Sequence, residues 1–355
     1  MTTTLLSLTL AACATPYLYP PGSHRDRASL HTDYARMDDG YRLPLSVWSS
    51  TLPGDCRAVL LAVHGLNDYR HAFAELGPYL AEHGVTVYAY DQRGFGESEG
   101  AGYWHGRERL VADLRSMITL LHGEHPDCPL YVLGESMGGA VVLAAQRQAR
   151  LDVSGEILVA PAVWSRDSMP WYQRVALWLG AHTLPGKRLT GEGLDLHPSD
   201  NIAMLRALGR DPEVIKATRI DVLYGVTNLM DAAATVPVKR LGKTLLLYGM
   251  HDDIIPPRPA CRFLERLERG RGSAVIKLYP KGYHMLTRDL AAHIVWEDIV
   301  SWLYSPDSVS WNRPAVDRFC GELNGVTATT ARRQGPVHCA GRSLPTHTGS
   351  CDFPD

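Results

Sequence analysis

The chain carries a Gly-x-Ser-x-Gly motif within the stretch Leu133-Gly134-Glu135-Ser136-Met137-Gly138-Gly139. This motif stands between an apolar run, Pro129 to Leu133, and a segment of helical composition, Ala140 to Arg150. In that setting the serine is expected at a sharp strand-to-helix turn, with a strained backbone and a hydroxyl raised above the sheet. The flanking strand and helix therefore predict that Ser136 is a nucleophile, not a surface residue of a glycine-rich turn.

The composition excludes several classes of protein. The chain has 355 residues, 45% of them hydrophobic and 21% charged, which is typical of a globular protein. The formal net charge of -2 gives no strong field to attract nucleic acid, so nucleic acid is not expected as a partner. No run of about eighteen apolar residues occurs, and no membrane-spanning helix is predicted.

Short apolar runs alternate with helical segments along most of the chain. The run at 58–63 is continuously apolar and predicts a strand that is buried on both faces. The runs at 85–90 and 244–248 predict further buried strands, and those at 156–160 and 275–279 predict strands. Tyr41 to Ser49 alternates apolar and polar residues and predicts an edge strand. This alternation predicts an α/β fold, with a mostly parallel sheet covered by helices on both faces.

The alternation stops between residues 163 and 238, which predicts an inserted helical cap. Trp171, Trp178 and the nearby leucines are expected to form core between the cap and the body, and Leu205 to Leu229 is expected to be helical. A cap must also present apolar surface toward the sheet, and such a roof suits an acyl chain. The α/β core is then predicted at 31–162 and 239–304.

A base and a carboxylate follow Ser136 in the order used on this type of sheet. Asp252 and His284 each come just after a predicted strand, where the working residues of parallel sheets lie. His284 is predicted to take the proton of Ser136, and Asp252 to orient the imidazole. The rival carboxylate is Asp253, and the rival bases are His251 and His293.

Two backbone N–H groups are candidates for an oxyanion hole. The N–H of Met137 begins the helix after the nucleophile, and the N–H of Leu66 follows His64-Gly65 after a buried strand. His64 is expected to hold its loop and not to act as a base. Asp91 and Arg93 are expected to order the next loop through a local ion pair.

The N-terminus contains Leu10-Ala11-Ala12-Cys13, which resembles a bacterial lipobox. It predicts lipidation of Cys13, with residues 1–30 as signal and tether and Thr15 to Ser23 extended. The chain would then be anchored to a membrane of the bacterial cell envelope. A cytoplasmic protein with a chance cysteine is the alternative.

The other cysteines show no Cys-x-x-Cys spacing, so a structural zinc site is not expected. Cys56 and Cys128 each precede a predicted strand and are expected to be small residues in or near the core. Residues 305–355 are predicted to be a poorly ordered tail, in which Cys320, Cys339 and Cys351 could pair in an oxidising compartment.

Five separated blocks together resemble one known family. They are Gly134-Glu135-Ser136-Met137-Gly138-Gly139, His64-Gly65, the loop from Asp91 to Gly100, Gly249-Met250-His251-Asp252 and Tyr279-Pro280-Lys281-Gly282-Tyr283-His284. The blocks are similar to the monoacylglycerol lipase and lysophospholipase group of α/β-hydrolases, which is S33-like, over about residues 35 to 304. The chain has Asp68-Tyr69 where the family usually continues toward Glu-His.

The resemblance implies a serine hydrolase of monoacylglycerols or lysophospholipids. It also implies Ser136, Asp252 and His284 as the triad, the N–H groups of Leu66 and Met137 as the oxyanion hole, and no metal or organic cofactor. A short-chain ester or thioester hydrolase, or a peptidase, is the alternative on the same fold. A non-catalytic binding protein is a further alternative, and the oligomeric state is left open.

Overall fold

The computed structural model describes residues 14–52, 56–269, 274–306 and 313–323. The strands are β1 (Ser29–Leu30), β2 (Tyr34–Arg36), β3 (Arg42–Trp48), β4 (Ala58–Val63), β5 (Val85–Tyr90), β6 (Leu130–Glu135), β7 (Gly155–Val159), β8 (Arg188–Thr190), β9 (Ala217–Arg219), β10 (Thr244–Gly249) and β11 (Ala274–Tyr279). The helices are α1 (Leu76–Glu82), α2 (Arg107–Glu124), α3 (Met137–Gln148), α4 (Trp171–Thr183), α5 (Ile202–Arg210), α6 (Ile220–Ala234), α7 (Pro257–Arg269), α8 (Ala292–Tyr304) and α9 (Arg313–Leu323).

One large sheet organises the molecule. Its strand order is β1-β2-β3-β5-β4-β6-β7-β10-β11. The strands β1, β2 and β3 pair antiparallel, as do β3 and β5, and every later neighbour in the order pairs parallel. The predicted α/β fold is confirmed. The expectation that Tyr41–Ser49 forms an edge strand is wrong, because β2 pairs with the outer side of β3.

The core lies on both faces of this sheet, which explains why the central strands are almost entirely apolar, with Thr86 and Glu135 as exceptions. The side chains of β4, β5 and β6 are all buried. On one face the sheet packs against apolar residues of α2, α3, α6, α7 and α9, and on the other against those of α1 and α8. Each face removes a separate set of apolar side chains from water, and this burial drives folding.

The cap comprises α4, α5 and α6 with the β8–β9 hairpin. The predicted helix over Leu205 to Leu229 is in fact two helices, α5 and α6, with a break that contains Pro212. Proline lacks the backbone donor that would continue the first helix.

The expected burial of the α4 tryptophans is wrong. Trp171 is 73% exposed and Trp178 is 50% exposed, so neither belongs to a core between cap and body. Leu179 and Leu184 are also exposed, whereas Leu177 and Trp164 line a cavity under the cap. The cap therefore has two apolar surfaces, one toward the sheet and one toward solvent.

The described residues contain two disulfides: one joins the two cysteines that were expected to be small core residues, and the other joins Cys320 of the predicted tail to a cysteine of the body. Cys56 is bonded to Cys128 and Cys261 to Cys320. The second bond joins α7 to α9, whose Val316 and Phe319 are buried. The expected poorly ordered tail is therefore wrong for residues 313–323, while Cys339 and Cys351 lie outside the described residues. An apolar face too short for a clear periodic signal accounts for the missed helix.

The segment before β1 packs on the body. The backbone N–H of Tyr19 donates to the carbonyl of Trp104 over 2.8 Å, and the ring of Tyr19 lies 4.4 Å from that of His105. The expected tether from Thr15 to Ser23 has no regular secondary structure, but it is docked through these contacts. Cys13 lies outside the described residues. No helix within the described ranges is long and apolar enough to cross a membrane.

Candidate active site

Ser136 stands at the turn between β6 and α3 in a strained backbone conformation. Its φ is 51° and its ψ is −113°, a region that costs a non-glycine residue free energy. Three backbone hydrogen bonds hold the turn: Ser136 N–H donates to Val159 O, and Ser136 O accepts from the N–H groups of Ala140 and Ala162. A Cβ on Gly138 would overlap the carbonyl oxygen of Val63, so the close approach of α3 to β4 requires glycine there.

The structure brings together the three residues singled out in the sequence. His284 Nε2 lies 2.9 Å from Ser136 Oγ, and His284 Nδ1 lies 2.8 Å from Asp252 Oδ2. The other carboxylate oxygen, Asp252 Oδ1, accepts the N–H groups of Ile254 and Ile255, each over 2.9 Å. These two bonds fix the carboxylate so that it faces the imidazole.

The environment of His284 favours the charged imidazolium. Burial opposes the charge, but the Asp252 carboxylate outweighs this cost and raises the pKa of His284 above its usual value. Glu135 acts in the same direction as Asp252, and Arg288 acts against it. An imidazole that gains a proton readily is suited to accept one from a neighbouring hydroxyl.

The rival groups lie elsewhere. Asp253 Oδ2 accepts the N–H of His197 in the cap, over 2.9 Å. His251 is exposed and packs against the ring of Tyr283, and His293 is exposed on α8. None of the three is recorded in contact with Ser136 or His284 in the described part of the chain.

His64 holds its loop through both ring nitrogens. It is completely buried, Nδ1 lies 2.8 Å from Gly65 O, and Nε2 accepts the N–H of Gln92 over 2.9 Å. Because Nε2 accepts a hydrogen bond, the ring proton is on Nδ1, which donates a hydrogen bond to Gly65 O. Burial lowers the pKa of His64 and keeps the ring neutral.

The predicted ion pair between Asp91 and Arg93 is wrong. Asp91 pairs with Arg70 and accepts the N–H groups of Arg70 and Glu97. Arg93 is buried and pairs with Asp39 and Asp113, each over 2.6 Å. Both residues still order the loop, but each uses a partner distant in sequence that the local pattern could not identify.

The loop after β4 lies close to Ser136 and is hydrogen-bonded to the cap. A Cβ on Gly65 would lie 3.3 Å from Ser136 Cβ, so the backbone at Gly65 passes close to the Ser136 turn. Leu66 is the next residue along this backbone. Asn67 Nδ2 donates to Thr218 Oγ1 over 2.7 Å, and Tyr69 Oη donates to Asp211 Oδ2 over 2.7 Å. Tyr69, which departs from the pattern of the resembled family, therefore serves to bond this loop to the cap.

Sequence reasoning missed a buried charge cluster beside the serine. Arg288 Nη2 lies 2.7 Å from Asp68 Oδ2 and 3.1 Å from Glu135 Oε1. Thr287 Oγ1 donates to Glu135 Oε2 over 2.9 Å. The only available signals were the position of Glu135 inside the motif and that of Arg288 four residues after His284.

A cavity of about 460 Å³ opens above Ser136, with the cap as its roof. Its polar end holds Ser136, His284, Asp68, Glu135 and Arg288. The apolar lining comes from the sheet loops and the cap and includes Leu66, Met137, Ala162, Trp164, Met169, Leu177, Leu223, Val226, Met230, Ile254 and Ile255. Within the described ranges, no cluster of three His, Cys, Asp or Glu side chains is arranged to hold a metal ion.

A mostly parallel sheet with a strained serine at a strand-to-helix turn, hydrogen-bonded to a histidine after a later strand, defines an α/β-hydrolase. A family model described as "Serine aminopeptidase, S33" matches residues 54–291, and the chain belongs to that family.

Its relatives include monoacylglycerol lipases. One from Mycolicibacterium smegmatis is 29% identical over 75% of this chain and 94% of its own length. The monoglyceride lipase of Mus musculus is 27% identical over 75% of this chain and 88% of its own. A crystal structure of Paleococcus ferrophilus monoacylglycerol lipase superposes with a TM-score of 0.62 at 25% identity, covering 75% of this chain and 99% of that one. The chain is thus a carboxylic ester hydrolase on the α/β-hydrolase fold, as predicted.

Proposed function

We propose that the chain hydrolyses the ester bond of monoacylglycerols, with Ser136 as the nucleophile. The observation that carries this proposal is the hydrogen-bonded series from Ser136 through His284 to Asp252 at the base of an apolar cavity. The relatives that are named monoacylglycerol and monoglyceride lipases support the same substrate class.

In the first step Ser136 Oγ attacks the ester carbonyl carbon while its proton passes to His284 Nε2. Asp252 stabilises the imidazolium that forms. The tetrahedral intermediate expels the glycerol alkoxide, which takes the proton from His284, and the acyl group stays on Ser136. Water then attacks the acyl-enzyme with His284 again as base, releasing the fatty acid and restoring the Ser136 hydroxyl.

The negative oxygen of the tetrahedral intermediate would be bound by the N–H groups of Leu66 and Met137. Met137 is the first residue of α3, where the N–H groups of a helix have no acceptor within it. Leu66 follows Gly65, and a Cβ on Gly65 would lie 3.3 Å from Ser136 Cβ. Each donor of this kind can stabilise the transition state by about 3 kcal/mol.

The two ends of the cavity suit different parts of the substrate. Apolar side chains of the cap and of the sheet loops would cover a single acyl chain. The polar end carries two carboxylates, Asp68 and Glu135, and the guanidinium of Arg288 is already paired with both. The two carboxylates outnumber the one guanidinium, so a further anion is disfavoured there and a neutral glycerol head group suits this end better than the phosphate of a lysophospholipid.

The experiment is a panel of four substrate classes: 1-monooleoylglycerol, lysophosphatidylcholine, a short p-nitrophenyl ester and an aminoacyl p-nitroanilide. We expect the monoacylglycerol to give the highest kcat/KM. A preference for the lysophospholipid would contradict the head-group argument. Cleavage of the short ester alone would contradict the proposal that the cap covers an acyl chain. Cleavage of the anilide alone would favour a peptidase.

The proposal extends to the cell envelope, with Cys13 lipidated and the chain held at a membrane surface. Two disulfides are typical of proteins in an oxidising compartment. The exposed aromatic side chains of α4 suit contact with lipid. Fractionation of cells that produce the wild type and Cys13→Ser tests this: the wild type should sediment with membranes and the variant should not. Equal distribution of the two would contradict the anchor.

A further inference from the structure

Arg288 connects three segments of the chain at the proposed active site. It is 7% exposed, and its Nη2 contacts both Asp68 Oδ2 and Glu135 Oε1. Asp68 lies in the loop that follows β4, two residues after Leu66, and Glu135 directly precedes Ser136. Arg288 itself lies four residues after His284, in the segment that follows β11.

Further bonds tie this junction to its surroundings. Thr287 Oγ1 donates to the second oxygen of Glu135, and Trp296 Nε1 donates to Thr287 O over 2.9 Å. Arg288 O accepts Asn201 Nδ2 of the cap over 3.0 Å. Four parts of the molecule therefore meet at the guanidinium. They are the Leu66 loop, the Ser136 turn, the segment that follows His284 and the cap.

The charges make this junction sensitive to the loss of Arg288. Two buried carboxylates share one cation, and arginine does not lose its proton in proteins. Removing a buried partner leaves an uncompensated charge, which costs far more than the pair contributed. Without Arg288, Asp68 and Glu135 would repel each other across the gap between Leu66 and Ser136.

We propose that Arg288 is a positioning residue that holds the Leu66 loop and the Ser136 turn at the separation needed to bind the oxyanion. The proposal rests on the function proposed above, because it assigns Arg288 a part in the same reaction. Arg288 acts through Asp68 and Glu135 and touches no reacting atom.

The first test compares Arg288→Met and Arg288→Lys on a short soluble p-nitrophenyl ester, so that lipid binding plays no part. We expect kcat to fall roughly 10²-fold in Arg288→Met, as for loss of one oxyanion donor, with KM little changed. Arg288→Lys should recover part of kcat, because it keeps the charge, but its shorter side chain does not bring the ammonium to the place where Nη2 contacts both carboxylates. Arg288→Met with the wild-type kcat would overturn the proposal.

The pH profile distinguishes a local effect of Arg288 on the active site from a general loss of stability. Asp252, Glu135 and Arg288 are the charged groups that act on His284, and Asp68 lies behind Arg288. Loss of the guanidinium leaves the charge of Glu135 uncompensated, which raises the pKa of His284. The acid limb of the kcat/KM profile should therefore move to higher pH. Glu135→Gln removes the opposing charge and should move that limb to lower pH.

Arg93→Met is the matched control. Arg93 is also buried between two carboxylates, Asp39 and Asp113, but is not among the groups that act on His284. The Arg93→Met substitution should lower the free energy of unfolding and leave the acid limb of the kcat/KM profile in place. Equal limb shifts in Arg93→Met and Arg288→Met would overturn the proposal.

If Arg288→Met does not fold, Arg288→Lys and Glu135→Gln decide the matter. An unmoved acid limb in Glu135→Gln, together with the wild-type kcat in Arg288→Lys, would overturn the proposal. A wild-type enzyme that hydrolyses no ester would instead contradict the proposed function, so the two failures are distinguishable.

Discussion

The backbone around Ser136 leaves little freedom for substitution. The strained turn is maintained because the neighbouring helix and strand pack too closely for any alternative. Such strain persists only where the surroundings impose it, and it raises the hydroxyl toward His284. The position of Ser136, the proposed nucleophile, therefore depends on residues that have no part in the proposed reaction.

Gly138→Ala should lower the free energy of unfolding by about 2 to 3 kcal/mol and reduce activity, because the new Cβ would overlap Val63 O. Urea denaturation of the variant measures this. Gly209→Ala is the control: no atom lies within 4 Å of its added Cβ on the exposed side of α5. The control should gain roughly 0.5 to 1 kcal/mol. Similar stabilities of the two variants would contradict the packing argument.

The raised pKa of His284 fixes the direction of the pH dependence. Activity should fall as the pH drops through this pKa, because the protonated imidazole cannot accept the Ser136 proton. Since Asp252 raises the pKa, the midpoint should lie above the ordinary histidine value of about 6.5.

In Asp252→Asn the midpoint should move to lower pH, and kcat should fall by about 10⁴-fold. A kcat/KM profile of both proteins against pH checks these expectations. A midpoint that is unchanged by the substitution would show that Asp252 does not act on the base.

Helix α4 presents a face of large apolar side chains to solvent. Trp171, Tyr172, Val175, Trp178 and Leu179 are all exposed on it. Contiguous apolar surface of this kind marks an interaction site, and under the proposed function a lipid ester would have to reach the cavity beneath the same cap.

Trp171→Ser with Trp178→Ser should therefore slow the hydrolysis of monooleoylglycerol in vesicles about tenfold or more, through loss of two aromatic anchors. The rate on a soluble short ester should stay within about twofold. Val47→Thr, at an exposed residue of β3 outside the cap, serves as the control. Equal loss on both substrates would indicate damage to the cap instead of a weaker contact with lipid.

Helix α9 depends on the Cys261–Cys320 bond as well as on packing. The ring of Phe319 lies 5.8 Å from that of Tyr248, whose hydroxyl donates to Ile255 O near Asp252. Cys261→Ala with Cys320→Ala should lower the free energy of unfolding by about 2 to 4 kcal/mol. Urea unfolding with and without a reductant measures the effect. The reductant should destabilise the wild type more than the variant, and equal effects would contradict the bond.

At the scale of the whole molecule, most of the central sheet could be predicted from the sequence. The runs at 58–63 and 85–90 coincide with β4 and β5, because a strand buried on both faces carries almost only apolar side chains, with Thr86 of β5 as an exception. Ser136, Asp252 and His284 could be selected because parallel strands bring their carboxyl ends to one edge. Residues at these ends meet whatever their distance along the chain.

Features that depend on distant partners were beyond sequence reasoning. The pairing of Arg288 with Asp68 and Glu135 leaves no periodic signal, and the same holds for the bond between Cys261 and Cys320. The exposure of Trp171 was missed because an apolar residue is normally expected in the core. β3 looks like an edge strand because it is half-buried, yet the short strand β2 covers its outer side.

Reaction with a fluorophosphonate, followed by mass spectrometry of the peptides, tests the central claim most directly. Ser136 should carry the adduct, and 1-monooleoylglycerol should slow its formation. Ser136→Ala should take up no probe and release no fatty acid. An adduct on another residue, or fatty acid released by Ser136→Ala at the wild-type rate, would contradict the account.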